Sequence, residues 1–429
     1  MQKKLFAAVL AGTMVMSSMT AFAAETPEYE IKTSDEAIRI VNGKIEIDEP
    51  LKAFAAAYQE KYGQEVIIES LGGGVDINGQ LKGYLASDNM PDLFVIGGLG
   101  DFQTWKDYAA DMSDAAWAQA TDFAFKNDDG AAVGFPYAVE GYGITYNADI
   151  LEKAGVDPAS LTSYAAYEEA FAKIDGMKEE LGIDAVVSAA AESGQMYWST
   201  GNHIFGYYLS GGLERGDTTL IDKLNAGEID TDRMTQFAKF TQLLFKYSDP
   251  TVLISGTYDD QLALWAQGKA AFIIQGNWID PSLPTYNAEF GCGIAPLAFT
   301  EEEMTGVLAD SPSWWLLYNG KDEEKQAASI SFLNELALSE DGQKCLVSDC
   351  GMISPYSTCS VEPTTPLAAC LKTFIDAGNT YSWEWTKMPE GIAMNATGLV
   401  FELFAKEQLD VDGFVEMMGT TIADYVANN

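Results

Sequence analysis

Apolar positions in the first hundred residues switch between a strand-like and a helix-like period. Ala37 to Val41 is a short apolar run that predicts a strand, and Asn42-Gly43-Lys44 a turn beyond its carboxyl end. Leu51, Phe54, Tyr58 and Tyr62 recur at helical spacing, so residues 49–62 are predicted as an amphipathic helix. Gly63 stands where a left-handed residue ends a last helical turn. Glu65 to Leu71 predicts a second strand, the residues around Leu81 and Leu85 a second helix, and Leu93 to Ile96 a third strand. That order, βαβαβ, implies right-handed crossovers and a parallel sheet. In open sheets of this kind ligands lie beyond the carboxyl ends of the strands. The loops Asn42–Glu46, Gly72–Asn78 and Gly97–Asp101 are therefore expected to face a cleft. Gly72-Gly73-Gly74 has the spacing of neither a P-loop nor a dinucleotide fingerprint. It reads as a turn that lets backbone approach a ligand or an opposing surface. Trp105 and Trp117 read as helix-packing residues, and Phe414, Met417, Ile422 and Tyr425 predict a last amphipathic helix.

At the N-terminus the pattern differs. Lys3 and Lys4 precede an almost wholly apolar Leu5–Met16, and small residues end in Ala21-Phe22-Ala23. This is the layout of a secretory signal peptide over residues 1–23. The run is shorter than a bilayer span requires. No cysteine lies near the cleavage site, so a signal peptide without a lipobox is expected, with an extracytoplasmic mature chain in the periplasm or at the cell surface.

The formal net charge of −39 argues against a nucleic-acid partner and against an anionic membrane surface. The acids read as a solvated face. An apolar content of 47% and an aromatic content of 12% exclude disorder, and the length suits two lobes with cores of their own. His203 is the one histidine, so a His-based metal site or a nucleophile–His pair has a single candidate. Among Trp198, Phe205, Tyr207 and Tyr208 it reads as a packed or cleft-lining residue. Cys345, Cys350, Cys359 and Cys370 cluster, which in an exported chain predicts at least one disulfide with the connectivity open. Cys292 reads as a buried free thiol in a strand. The residues point to no catalytic group, metal or cofactor.

Three later stretches are more specific. Gly134-Phe135-Pro136 leads through Glu140 to Tyr146-Asn147, and Ala154-Gly155-Val156-Asp157-Pro158 follows. Gly268-Lys269-Ala270-Ala271-Phe272 runs on to Gly276-Asn277-Trp278, and Trp314 to Tyr318, Lys321, Ala327 to Leu338 and Gly351 to Pro355 close the order. In this the chain resembles the extracellular solute-binding proteins of sugar ABC transporters, the maltose-binding protein family in particular. The resemblance implies an α/β, two-lobed periplasmic-binding-protein fold of type II, each lobe a mostly parallel sheet flanked by helices, joined by a hinge. The expected partition is 27–139 plus 286–320 for the N-terminal lobe and 140–285 plus 321–429 for the C-terminal lobe. The implied function is the exported substrate-binding component of an ABC importer, a monomer that takes a sugar or oligosaccharide in the interlobe cleft and delivers it to the permease.

A pyranose offers an apolar face of C–H groups and a rim of hydroxyls, so its site needs flat aromatic rings and a few placed polar groups. By resemblance Trp278 stacks on the sugar, the alternative being a core Trp near a helix start, and Asn277 beside it reaches hydroxyls. Glu140 matches a hinge carboxylate, with Tyr142 beside it, and Tyr197 and Trp198 match a ligand-contacting stretch of the second lobe. Lys44 and Asp76 match by their place in cleft loops. Trp314 and Trp315 alternate along a strand, and Trp383 and Trp385 lie where the family supplies another ring; for both pairs core packing is the alternative. Two other functions are weighed: binding of a non-sugar solute such as a peptide or polyamine, and a secreted glycan hydrolase with paired carboxylates.

Overall fold

The computed structural model describes residues 26–428 apart from Gly73, so the expected signal peptide lies outside the described residues. The βαβαβ unit is present. Ile38–Asn42 pairs in parallel with Val66–Ser70 on one side and with Leu93–Ile96 on the other. The helix between the first two, Asp48–Tyr62, buries Leu51, Phe54, Ala55 and Tyr58 against the sheet. It ends at Gly63, whose φ of +79° lets its N–H return to the Gln59 carbonyl. Trp314–Leu317 then enters antiparallel between Leu93–Ile96 and Ala132–Pro136, with Phe125–Lys126 at the edge, completing a mixed six-stranded sheet.

A second, four-stranded sheet runs Cys292–Ala295, Ile144–Asn147, Ala270–Ile273, Ala185–Ser188. Between the two lies a small three-stranded sheet in which Glu140–Tyr142 pairs antiparallel with Val307–Asp310, Glu140 opposite Asp310. These short strands are where the chain passes from one core to the other.

The first core draws on residues from Ile38 to Ala138 and from Trp314 to Tyr356; the second draws on Tyr142 to Ala309 and Leu367 to Ile422. This corrects the expected partition at two places. Residues 292–309, expected with the first lobe, are built into the second core, because Cys292–Ala295 pairs with Ile144–Asn147 and Leu297 and Phe299 continue inward. Residues 323–356, expected with the second lobe, pack on the first. The helix Glu323–Leu338 sets Phe332 within 5.6 Å of Phe54 and 5.2 Å of Tyr58, ring centre to ring centre. The last helix, Val411–Asn428, buries Phe414, Val415, Met418 and Ile422 in the second core. Among the described residues no helix is long and apolar enough to cross a membrane.

The expected disulfide is not formed: all five cysteines are free thiols. Cys345 opens the π-helical turn Cys345–Asp349 that Cys350 caps, and their Sγ atoms lie 4.0 Å apart, about twice a disulfide bond length. The Cys370 thiol instead receives the Ile294 backbone N–H at 3.3 Å.

Candidate functional site

A cavity of about 680 Å³ lies between the two lobes. Its first wall is made by the three loops that follow the parallel strands, with Lys44 and Glu46 from the first, Gly72 and Gly74 to Gly79 from the second, and Gly97, Gly98, Gly100 and Asp101 from the third. Buried Asn42 ties two of them together, its amide donating to the Lys44 carbonyl at 2.6 Å and to Ser70 Oγ at 3.0 Å. Asp101 closes the third loop by accepting from the Gly97 N–H at 2.6 Å and from Asn78 Nδ2 at 2.8 Å, while Asn78 Oδ1 accepts from the Trp105 indole. Burial pushes the Asp101 carboxyl up against the pull of those donors. Asp76 lines the cavity, but its Oδ1 caps the helix Ile77–Ala86 by accepting from the Gly79 N–H at 2.9 Å.

The second wall is aromatic. Trp278 follows the strand Ala270–Ile273 and starts a 3₁₀ helix, Asn277–Tyr286. A Cβ on Gly276 would lie 2.2 Å from the Gly141 carbonyl oxygen and 2.2 Å from the Trp278 ring, so only glycine lets the indole fold back here. The indole N–H donates to Gln275 Oε1 at 2.8 Å, Gln275 donates to Gln261, and Gln261 donates to the Ser188 carbonyl, a buried chain of amides that fixes the ring. Trp198 enters the wall from the residues before a π-helical turn, Ser199–Ile204, which itself brings Asn202 and His203 to the cavity. Trp385, on the short helix Glu384–Lys387, completes it.

At the floor, Lys44 Nζ lies 2.8 Å from the Glu140 carboxylate and 5.9 Å from the centre of the Trp278 ring. Burial alone would lower the Lys44 ammonium. The adjoining Glu140 carboxylate outweighs that and holds it above its ordinary value, while burial pushes the Glu140 carboxyl up against the pull of Lys44.

Six of the nine sequence candidates, Lys44, Asp76, Glu140, Tyr197, Trp198 and Trp278, meet at this cavity. Three do not. Tyr142 is fully buried behind the wall, its ring parallel to that of Trp278 within 4° at 5.9 Å. Trp314 belongs to the first core, its indole donating to the Phe123 carbonyl at 2.7 Å and its ring packed edge-on against Phe125. Its neighbour Trp315 is no better placed, held between Phe135 and Tyr137. Trp383 is buried behind Trp385, which takes the cavity position instead. Asn277, expected to reach hydroxyls, is fully buried and accepts from the Gly141 N–H.

The walls also touch each other. Lys82 Nζ on the first lobe lies 3.3 Å from Glu390 Oε1 on the second, and Thr104 donates to the other Glu390 oxygen. Gly98 and Gly100 face the backbone of Thr386, Met388 and Glu390, where a side chain would collide. Asn202 and Glu390 escape the sequence pattern, Trp385 is the member of the 383/385 pair that reaches the cavity, and Asn78 and Asp101 fall inside loops already expected at the cleft.

Over 111 residues the chain is 27% identical to the melibiose/raffinose/stachyose-binding protein MelE of Bacillus subtilis (strain 168), a stretch that is 25% of this chain and 26% of that protein. The chain thus aligns with only about a quarter of that relative's length. Two solved structures are similar throughout. One is a sugar transporter of Bacillus licheniformis in complex with stachyose, with TM-score 0.69, 18% identity, and coverage of 90% of this chain and 98% of that one. The other is RafE in complex with raffinose, with TM-score 0.71, 16% identity, and coverage of 91% and 99%. At these identities the likeness is one of fold: two lobes around a cleft. The family model described as bacterial extracellular solute-binding protein matches residues 53–391. A match that spans most of the chain, with most of both cores and of the cleft lining, makes this chain a member of the bacterial extracellular solute-binding protein family.

Proposed function

We propose that this protein captures a short neutral oligosaccharide in the interlobe cleft and hands it to the permease of an ABC importer from the extracytoplasmic side, as a monomer and without chemical turnover. The observation that carries this reading is the second wall. Trp198, Trp278 and Trp385 line the cavity together with the Lys44–Glu140 ion pair. Flat apolar faces next to fixed charged donors and acceptors match a pyranose, whose C–H face and hydroxyl rim need both. The volume of about 680 Å³ suits a ligand of several rings. The named ligands of the similar proteins, melibiose, raffinose and stachyose, belong to the same chemical class.

In this reading Trp278, Trp198 and Trp385 stack on sugar rings, and Tyr197 extends that surface. Lys44 and Glu140 address hydroxyls, and Asp76 holds its helix at the cleft edge. The signal peptide is removed after Ala23 or Ala24, which N-terminal sequencing of the exported protein checks.

A thermal-shift panel of melibiose, raffinose, stachyose, maltotriose and chitotriose tests the function. A ligand that binds only the folded state at a hundredfold excess over Kd adds about 2.7 kcal/mol of stability, a readily measured rise in Tm. No rise with any of these sugars would overturn the reading. Release of shorter sugars on prolonged incubation would replace binding by hydrolysis.

A further inference from the structure

The aromatic corner contains one side chain whose hydrogen-bonding role can be deduced atom by atom. His203 lies in the cavity wall, 9% exposed. Its ring is surrounded by those of Trp278 at 4.8 Å, Trp385 at 5.3 Å, Tyr142 at 5.4 Å, and Trp198 and Trp383 at 5.5 Å. Its Nδ1 lies 3.1 Å from the Trp198 carbonyl oxygen. A carbonyl oxygen only accepts, so Nδ1 carries the proton. Burial, reinforced by the nearby Lys44 charge, pushes the imidazole down to about 3, so the ring is neutral at physiological pH. In a neutral imidazole protonated at Nδ1, Nε2 is a bare acceptor.

Among the described residues Nε2 has no hydrogen-bond partner. The indole N–H groups of Trp198 and Trp385 in the same corner are buried and unpartnered. A polar atom left unpaired in such surroundings carries a desolvation cost that a bound group of the right polarity removes.

Resting on the sugar reading above, we infer that His203 is a specificity residue: its Nε2 accepts a hydrogen bond from an uncharged donor of the bound sugar, a hydroxyl or an acetamido N–H. The corner therefore selects against acidic sugars. A carboxylate brings only acceptors and would meet the bare lone pair on Nε2.

Because the chain has one histidine, labelling with ring-¹⁵N histidine gives one pair of imidazole resonances. In the free protein Nδ1 is expected protonated and Nε2 bare from mildly acid to mildly alkaline pH. At saturation with raffinose or stachyose, whichever raises Tm, the Nε2 resonance moves toward the hydrogen-bonded position and Nδ1 stays. A proton on Nε2 in the free protein overturns the inference. So does an Nε2 resonance that does not move with a sugar whose binding the Tm rise has established, and in that case the binding function stands. If no panel sugar raises Tm, the function falls first and the inference with it. Calorimetry supplies the second arm. H203F, which keeps a ring without an acceptor, is expected to lose roughly tenfold in affinity, and H203Q to recover most of it. Equal affinity in H203F and wild type would overturn the role, as would a trigalacturonate that binds as tightly as the neutral sugars.

Discussion

The two walls of the cleft are built on opposite plans. The first is a set of loop ends with glycines and charges, in which Gly98 has φ of +147° and the side chains of Asp76 and Asp101 are committed to their own backbone. The second is a sheet of rings whose polar edges are either tied into the core, as Trp278 is through Gln275, or left without a partner, as with the Trp198 indole. The difference follows from what each must do. A wall that closes has to let backbone reach backbone, which side chains obstruct. A wall that recognises has to hold large flat surfaces in place, which loops of glycine cannot. Affinity should therefore depend steeply on the second wall's side chains, and on the first wall mainly through what glycine leaves out.

The largest effect is expected at the second wall. Trp278→Ala removes both a cavity surface and a core member, since the ring is 5% exposed and packed against Tyr142 and His203. Affinity should fall at least about thirtyfold, or ~2 kcal/mol. Stability should fall by about 3 kcal/mol as the core loses an aromatic. Calorimetry on the folded variant gives the first figure and denaturant titration the second. Wild-type affinity in the variant would remove the ring from the site.

The second wall's support is expected to be pH-sensitive. Asp280, two residues beyond Trp278, accepts from the Leu367 and Ala368 N–H groups at the start of the helix Pro366–Asp376. Burial pushes its carboxyl up to about 6 from the ordinary 3.8, against those donors. A folded value above the unfolded one means that the folded chain takes up the proton first. Its contribution to stability is therefore present at low pH and lost as pH rises through about 6. Relative to Asp280→Asn, wild-type stability should gain about 3 kcal/mol as pH falls from about 6 to the ordinary carboxylate value of 3.8. A difference that stays flat with pH would show that Asp280 titrates normally.

The first wall is tested by adding rather than removing atoms. A Cβ on Gly98 would lie 2.1 Å from the Thr386 carbonyl oxygen across the cleft. Gly98→Ala should hold the lobes apart and weaken binding roughly tenfold or more, at positive φ that costs alanine in any state. Small-angle scattering should show a sugar-saturated radius of gyration larger than that of the wild-type complex. An identical radius would mean that the loop yields and the lobes still meet.

The same contrast explains what the chain pattern reveals and what it hides. The first wall is legible because the βαβ rule places the loops after parallel strands wherever those strands are found. All three expected loops, at 42–46, 72–78 and 97–101, contribute to the cavity. Trp278 is legible because Gly276 must precede it for steric reasons. Trp385 is not, because it lies in an irregular stretch where no period separates it from Trp383. Trp314 misleads because its strand is covered on both faces, so alternation carries no direction. The exchange of residues 292–309 and 323–356 between cores escapes notice because local periodicity shows that a segment is buried, not which distant strand it pairs with.

The smallest effect is expected where the walls meet through charge. In a chain of net charge −39, Lys82 is one of few cations at the cleft, and it lies 3.3 Å from Glu390 on the opposite lobe. The pair forms only when the lobes meet, so it favours closure. Lys82 is 54% exposed, however, and exposed pairs contribute about 0–1 kcal/mol because water and salt screen them and two long side chains lose freedom. Glu390 also keeps the Thr104 hydroxyl when Lys82 is gone. Lys82→Met should therefore lower affinity by no more than about threefold at low ionic strength, and high salt should erase most of that gap. Calorimetry of both proteins at low and high ionic strength measures it. A loss beyond tenfold that persists in salt would place Lys82 on the sugar itself, and the first wall would then contribute recognition through a side chain as the second wall does.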